Sequence, residues 1–220
     1  MNLQTDRYTA PDFDAVALIT IDVQCDFLDD GSAGIPGTRA VLPQIAALLA
    51  AFRQAARPII HVVRLYRADG SNVDRCRRSL IEAGREIVRP GTAGVELAPA
   101  LWLATGSQLD PDRLVAGHLQ QLGPQEWAIY KPRWGAFYQT ALEAHLRSHG
   151  VSTVAIVGCN FPNCPRMTVY EASERDFRIV LVSDAVSGLY ERGIDELENI
   201  GVSVVSASAL LTATGSAIPT

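Results

Sequence analysis

Short runs of apolar residues alternate along the chain with segments in which apolar residues recur every three or four positions. The runs lie at residues 15–21, 58–63, 151–157, 178–182 and 202–205, and each has the length of a strand. Helical spacing predicts helices over residues 41–52 and 137–146, from Pro165 onward, and over residues 191–200. Apolar strands separated by amphipathic helices are typical of a parallel sheet covered on both faces.

This order predicts an α/β fold, a three-layer sandwich with a mainly parallel sheet between helices. We expect a single domain over residues 1–220, because a chain of 220 residues with 48% hydrophobic composition suits one substantial core. The core should span about residues 15–206, with a short tail at each end. Segment 66–123 is rich in Gly, Pro and Arg, which predicts one helix near residues 75–83 and otherwise irregular structure. The segment would form either a lid or an interface.

Charge and composition exclude several classes of function. The net charge of −5 and the pI of about 5.4 argue against a nucleic-acid partner. No apolar run reaches the length of a membrane helix, so we expect no membrane partner. The glycine-rich phosphate loops of nucleotide-binding proteins are absent, so we expect no nucleotide cofactor. The four cysteines follow no secretory signal pattern, which favours a reducing, cytoplasmic setting.

The residues that follow the predicted strands are the candidates for chemistry, because ligands bind beyond the carboxyl ends of parallel strands. Asp22 follows the first run, Arg64 follows the second, and the run at residues 151–157 leads through a turn to Cys164. Candidates for a substrate pocket by position are Phe27, Arg64, Tyr66, Trp134 and Asn160.

The segment GCNFPNCPR places Cys164 directly before Pro165, at a predicted helix start. The positive end of a helix stabilises a thiolate, and a nearby ammonium such as that of Lys131 would do the same. A carboxylate such as that of Asp22 would take the thiol proton and return it to a leaving amine. If these three groups meet at one edge of the sheet, they form a site that cleaves amides.

The same residues also have structural interpretations. A cysteine after a strand is more often structural than catalytic. Cys159 and Cys164 have the spacing of half a zinc site, but no second pair of ligands accompanies them, so zinc is not expected. His61 lies inside an apolar run and is more simply a hydrogen-bonded core histidine than a base. The residues alone leave these interpretations open.

Three motifs, in sequence order, resemble those of the isochorismatase-like cysteine hydrolases. They are IDVQCDF, YKPRWGAFYQTAL, and GCNFPNCPR with the downstream segment YEASERDFRIVLVSDAVSG. The resemblance covers most of residues 15–206. It implies a six-stranded, mainly parallel sheet of Rossmann-like topology, assembly into a homodimer or homotetramer, and a small-molecule substrate.

The resemblance also implies a role for each matching residue. Asp22 would be the general base and then the general acid, and Cys164 would be the nucleophile. Lys131 would orient and polarise the reacting groups. A cis peptide bond would join Cys159 to Asn160, and the N–H groups of Asn160 and Cys164 would form the oxyanion hole. These roles predict a hydrolase that cleaves a C–N bond of a small amide, ureide or carbamoyl compound through an acyl-enzyme.

The sequence departs from the family pattern in the turn before the nucleophile. Asn160 and Phe161 replace the usual Ala-Thr, and Pro165 replaces the common Val after the cysteine. Whether Phe161, Asn163 and Arg166 contact substrate stays open at this point.

A second departure concerns metal. Nicotinamidases of this family hold a metal with an Asp and several His after the second strand. Here that region reads HVVRLYRADGSNVDRC, with no histidine after His61. We therefore expect neither a metal nor any other cofactor. The alternatives are an isochorismatase-type ether hydrolase, which needs no thiol, and a non-catalytic member of the fold.

Overall fold

A seven-stranded sheet forms the centre of the computed structural model, which describes residues 5–102 and 108–215. Its strands are β1 (Val16–Ile21), β2 (Ile59–Val63), β3 (Gln120–Gly123), β4 (Glu126–Tyr130), β5 (Thr153–Gly158), β6 (Arg178–Val186) and β7 (Ser203–Val205). Their spatial order is β3-β4-β2-β1-β5-β6-β7. The five predicted strands are all present, and the α/β class is confirmed.

The prediction of six strands corresponds to the parallel part of the sheet. Every neighbouring pair from β4 to β7 is parallel, whereas β3 pairs antiparallel with β4 through a tight connection. The strand count is therefore seven, because a short hairpin adds one polar edge strand to the parallel sheet.

Seven α-helices connect and cover the described strands. They are α1 (Thr38–Gln54), α2 (Arg75–Glu82), α3 (Pro111–Val115), α4 (Leu142–Ser148), α5 (Cys164–Ser173), α6 (Glu191–Glu198) and α7 (Ala207–Ala213). The helix predicted over residues 137–146 is shorter, since α4 begins at Leu142 and Phe137 lies in the preceding loop. The helix predicted from Pro165 begins one residue earlier, at Cys164.

Segment 66–123 holds more regular structure than its composition predicts. Besides α2 it contains α3 and all of β3, while residues 103–107 lie outside the described part of the chain. The core also extends past residue 206, because α7 buries Leu210 and Leu211 beside α1. Residues 1–4 and 216–220, parts of the two expected tails, likewise lie outside the described residues.

The hydrophobic core has two parts, one on each face of the sheet. Alternate residues of β1 divide between them: Val16 and Leu18 pack with the α1 side, and Ala17 and Ile19 with the side of α4 and α5. Because both faces are covered, β1 is apolar except for the buried Thr20, which is why the sequence shows a nearly unbroken apolar run there.

A chain of buried polar side chains crosses three of the central strands. Thr20 and His61 lie 2.8 Å apart (Oγ1 to Nδ1), and the other ring nitrogen of His61 lies 2.8 Å from Glu126 Oε1. Arg53 of α1 donates to both oxygens of Glu126. The structure thus confirms His61 as a hydrogen-bonded core histidine.

No helix within residues 5–102 and 108–215 is long and apolar enough to cross a membrane. All four cysteines are free thiols.

The Glu126 carboxylate should make folding stability dependent on acid pH. Burial alone would raise its pKa, but hydrogen bonds from Arg53 and His61 hold that pKa at about 2, below its ordinary value of 4.5. Such a group stabilises the fold above pH 4.5 and loses this contribution as the pH falls towards 2. The difference corresponds to about 3 kcal/mol of folding free energy.

We therefore expect Glu126→Gln to destabilise the protein by about 3 kcal/mol at pH 7, and by progressively less as the pH falls below 4.5. Urea unfolding from pH 7 to pH 3 measures this. Glu174→Gln, at an exposed position on α5's end, is the control and should follow wild type. A Glu126→Gln penalty that stays constant with pH would contradict the assignment.

Candidate active site

Four neighbouring strands end at one edge of the sheet, and the candidate residues follow these ends. Lys131 follows β4, Arg64 follows β2 and Asp22 follows β1, while a turn after β5 leads to Cys164 at the start of α5. The chain leads from β1 to β2 on one side and from β5 to β6 on the other, so the neighbouring strands β1 and β5 flank the point where a parallel sheet forms a ligand-binding crevice.

Asp22 and Lys131 form a buried ion pair, with 2.8 Å between Lys131 Nζ and Asp22 Oδ2. Both side chains are almost completely shielded from solvent. Burial alone would raise the pKa of Asp22, but the positive charges of Lys131 and Arg64 hold it below its ordinary value. The carboxylate is therefore ionised at neutral pH, and its second oxygen, Oδ1, is buried without a hydrogen-bond partner.

The last residue of β5, Gly158, lies against the end of β1 in a backbone conformation that leaves no room for a side chain. Gly158 has a φ of 118°, and a Cβ at this position would lie 2.3 Å from the carbonyl oxygen of Ile21. Only glycine fits there. The next residue, Cys159, donates from its thiol to the carbonyl oxygen of Asp22 over 3.0 Å. These contacts fix the turn against the end of β1.

The peptide bond between Cys159 and Asn160, for which the family resemblance implies a cis conformation, is cis. Among the described residues, the backbone N–H groups of Asn160 and Cys164 have no hydrogen-bond acceptor. Both groups are therefore free to donate to a ligand.

Cys164 is the first residue of α5, and Pro165 occupies a position in the first turn where no intrahelical N–H is needed. The thiol is 4% exposed. Burial raises the pKa of Cys164, the nearby charge of Asp22 raises it further, and Lys131 and Arg64 only partly offset these effects. The expectation of a low-pKa thiolate is thus wrong for the free protein: the thiol is protonated at neutral pH beside an ionised carboxylate.

Arg64 joins the thiol to a second buried carboxylate. Its Nη2 lies 3.6 Å from Cys164 Sγ, and its Nη1 donates to Asp74 Oδ2 over 2.6 Å. Tyr66 donates to the same oxygen over 2.7 Å, and Arg77 donates to the Tyr66 hydroxyl. Two buried atoms of this cluster, Arg64 Nε and Asp74 Oδ1, have no hydrogen-bond partner.

Gln24, the glutamine of the first motif, binds backbone groups beside the end of β1. Its side-chain carbonyl accepts the backbone N–H of Arg64 over 2.7 Å, and its amide donates to the carbonyl oxygens of Arg64 and Val95. Gln24 therefore fixes the backbone of Arg64 beside the end of β1.

A groove with a volume of about 380 Å³ borders this cluster. Its lining includes Asp74, Trp134, Tyr138, Met167 and Glu171. We call it the Trp134 groove. Trp134 is half-buried, whereas Tyr138 and Met167 are exposed.

The other pocket candidates have different surroundings. Phe27 is buried in the core on the α1 side of the sheet, with the Arg77 guanidinium over its ring. Phe161 is completely buried, in the core on the other side. Asn163 donates from its side-chain amide to Asn160 Oδ1.

Arg166 is held at the protein surface. It donates to the hydroxyls of Tyr170 and Tyr190 and forms an ion pair with Glu196 of α6. These contacts give Arg166 a structural partner on each side.

Sequence reasoning missed Asp74 and Arg77 as parts of the site. The only signal for Asp74 is its place directly before an arginine-rich helix, which is also typical of a solvated helix cap. Within the described ranges, no cluster of three or more His, Cys, Asp and Glu side chains has the geometry to hold a metal ion.

Comparison with known proteins finds one matching family model and several similar proteins. The Isochorismatase domain family model matches residues 16–209. A probable inactive nicotinamidase of Arabidopsis thaliana is 29% identical over 195 residues, covering 84% of this chain and 89% of that protein. The ureidoacrylate amidohydrolase RutB of Methylobacterium radiotolerans is 26% identical over 187 residues, covering 76% and 65%.

Solved structures agree with this relationship. The crystal structure of an isochorismatase family protein from Desulfovibrio vulgaris superimposes with a TM-score of 0.77 at 33% sequence identity, covering 91% of this chain and 98% of that one.

The charge of Asp22 should control the reactivity of Cys164 towards alkylation. Because this negative charge raises the pKa of the thiol, Asp22→Asn should increase the thiolate fraction by about tenfold for each pKa unit. In wild type at pH 7.5, the exposed Cys76 should react with iodoacetamide before Cys164. In Asp22→Asn, labelling of Cys164 should accelerate relative to Cys76, as measured by peptide mass mapping.

Cys76 serves as the internal reference because its labelling should not change. A Cys164 rate that stays unchanged or falls relative to Cys76 in Asp22→Asn would show that the two side chains are not electrostatically coupled.

Proposed function

The chain belongs to the isochorismatase family, and we propose that it is a metal-independent thiol hydrolase within it. The reaction is cleavage of a C–N bond in a small amide, ureide or carbamoyl compound, with Cys164 as the nucleophile. The observation that carries this proposal is the convergence at one sheet edge of an ionised Asp22, a cationic Lys131 and the thiol of Cys164.

In the first step, Asp22 removes the proton of the thiol while Sγ attacks the substrate carbonyl carbon. The negative charge that develops on the carbonyl oxygen is stabilised by the N–H groups of Asn160 and Cys164. The free oxygen of Asp22, Oδ1, is suited to accept the proton, since Lys131 occupies the other oxygen.

In the second step, Asp22 donates this proton to the leaving nitrogen, the C–N bond breaks, and a thioester remains on Cys164. Water then attacks the thioester carbonyl, giving its proton to Asp22, and the acid product leaves as Sγ regains a proton. Lys131 keeps the Asp22 carboxylate oriented and ionised between these transfers. A protonated resting thiol suits this cycle, because the base acts only once substrate is bound.

Two further features support an amidohydrolase over an ether hydrolase. The thiol lies among three charged side chains that affect its pKa, an arrangement that ether cleavage does not require. A relative with 26% identity is described as a ureidoacrylate amidohydrolase.

A non-catalytic member of the family is the second candidate, and one specific observation favours it. The Arabidopsis relative, at 29% identity, is described as a probable inactive nicotinamidase. Against this candidate stand the intact ion pair and the free N–H groups beside Cys164. Measurements of activity in wild type and in a variant that lacks the nucleophile decide between the two candidates.

We expect Cys164→Ala to lower ammonia release from hydrolysed amides or ureides by at least about a thousandfold. Intact-protein mass spectrometry of quenched wild-type reactions should detect an acyl adduct that the variant lacks. Cys76→Ala, at an exposed thiol outside the site, is the matched control and should retain wild-type rates. Substantial turnover by Cys164→Ala would exclude the covalent mechanism. The absence of turnover by wild type across a broad amide and ureide panel would favour the non-catalytic candidate.

Activity should survive chelation, because the proposed steps use only protein groups. Dialysis against EDTA, followed by assay and elemental analysis, should leave the rate within about twofold of the untreated enzyme and no stoichiometric metal. Loss of activity that added zinc, iron or manganese restores would overturn this part of the proposal.

A further inference from the structure

A buried carboxylate oxygen without a partner belongs to a side chain that Arg64 connects to the proposed nucleophile, outside the three groups that carry the reaction. Asp74 is 4% exposed, and its Oδ2 accepts hydrogen bonds from Arg64 and Tyr66. Its Oδ1 is buried and has no hydrogen-bond partner. A buried acceptor left unpaired is destabilising, so a site that retains one is suited to a ligand that supplies a donor.

The position of Asp74 connects it both to open space and to the thiol. Asp74 is one of the residues that line the Trp134 groove. A single guanidinium, that of Arg64, separates its carboxylate from Cys164 Sγ. A substrate whose carbonyl carbon contacts the sulfur therefore needs only a few heavy atoms to reach Asp74.

The residues that line the groove lie close in sequence to the nucleophile and the lysine. Met167 lies one turn after Cys164 on α5. Trp134 follows Arg133, whose backbone carbonyl accepts a hydrogen bond from Lys131 Nζ. The groove walls thus come from the same two segments that carry the nucleophile and the lysine.

The polar groups of the groove select for hydrogen-bond donors. Asp74 and Glu171 contribute carboxylates, and Arg133 contributes the cationic group. Glu171 already accepts the backbone N–H of Phe137 over 2.8 Å. Asp74 Oδ1, by contrast, is a buried carboxylate oxygen of the groove with no partner among the described residues.

On the basis of the proposed function, we infer that Asp74 is a specificity-determining residue that accepts an N–H adjacent to the scissile carbonyl. The substrate class is then a ureide or carbamoyl compound, in which nitrogen flanks the carbonyl on both sides, rather than a simple carboxamide. Arg64 is a positioning residue that holds Asp74 and contacts the thiol.

Matched substrate pairs test this inference, because each pair differs only in an N–H or a CH₂ next to the carbonyl. N-carbamoylglycine pairs with succinamate, and N-methylurea pairs with propanamide. A hydrogen bond to a charged acceptor is worth about 10- to 100-fold, so kcat/KM for ammonia release should favour the ureide of each pair by about that factor.

Asp74→Asn should abolish or invert this preference. Arg64 Nη1 and the Tyr66 hydroxyl both donate to Oδ2, so the asparagine oxygen will occupy that position. The asparagine NH₂ then replaces the free oxygen and presents a donor where the ureide N–H requires an acceptor. Because the ratio compares two substrates on the same protein sample, partial loss of folded enzyme does not change it.

Tyr66→Phe is the matched control, since it removes a hydrogen bond to the other oxygen of the same carboxylate and should preserve the ureide preference. Equal or faster hydrolysis of the amides by wild type would overturn the inference and leave the proposed function intact. So would an Asp74→Asn variant that slows both members of each pair equally. If wild type hydrolyses no ureide and no amide, the proposed function and this inference both fail.

Discussion

The buried ion pair between Asp22 and Lys131 is the interaction on which the candidate site depends. The two residues follow β1 and β4, and β2 lies between these strands, so the pair spans the end of a third strand. Two charges removed from water must compensate each other, and deletion of one partner of such a pair typically costs about 3–5 kcal/mol. The pair therefore links the ends of three strands, with Arg64 beside it, and holds the carboxylate ionised next to a neutral thiol.

The same three strands carry a second buried polar network, which runs from Thr20 through His61 and Glu126 to Arg53. It lies within the sheet rather than at its edge and engages no residue of the proposed reaction. Specific partners in this network fix how β1, β2 and β4 align, because a shifted strand would leave a buried charge unpaired. The positions of the side chains at the carboxyl edge therefore depend on polar contacts within the sheet as well as on apolar packing.

The sequence predicts those parts of the fold whose signals are local. Strands β1, β2 and β5 appear as apolar runs with one polar residue each, because both of their faces are covered. Strand β4 begins with Glu126, whose burial depends on Arg53 and His61, far away in sequence, so its pattern is not recognisable. Strand β3 has a polar edge-strand sequence.

The residues of the candidate site are likewise predicted only where their signal is local in the sequence. Motifs identify Asp22, Lys131 and Cys164, whereas Asp74 becomes part of the site only through its contact with Arg64. The helix start before Pro165 is visible in the sequence and favours a thiolate. The burial that instead raises the pKa of Cys164 is a tertiary effect.

Burial of Cys164 has a consequence for oxidative damage. Oxidants such as peroxides attack the thiolate, and susceptibility follows thiolate character and exposure. In the unfolded chain, Cys164 is an ordinary accessible thiol; in the folded protein it is protonated and shielded by Arg64 and the turn after β5. Folding thus protects the residue that the proposed chemistry needs most, and the exposed Cys76 is the thiol that meets an oxidant first.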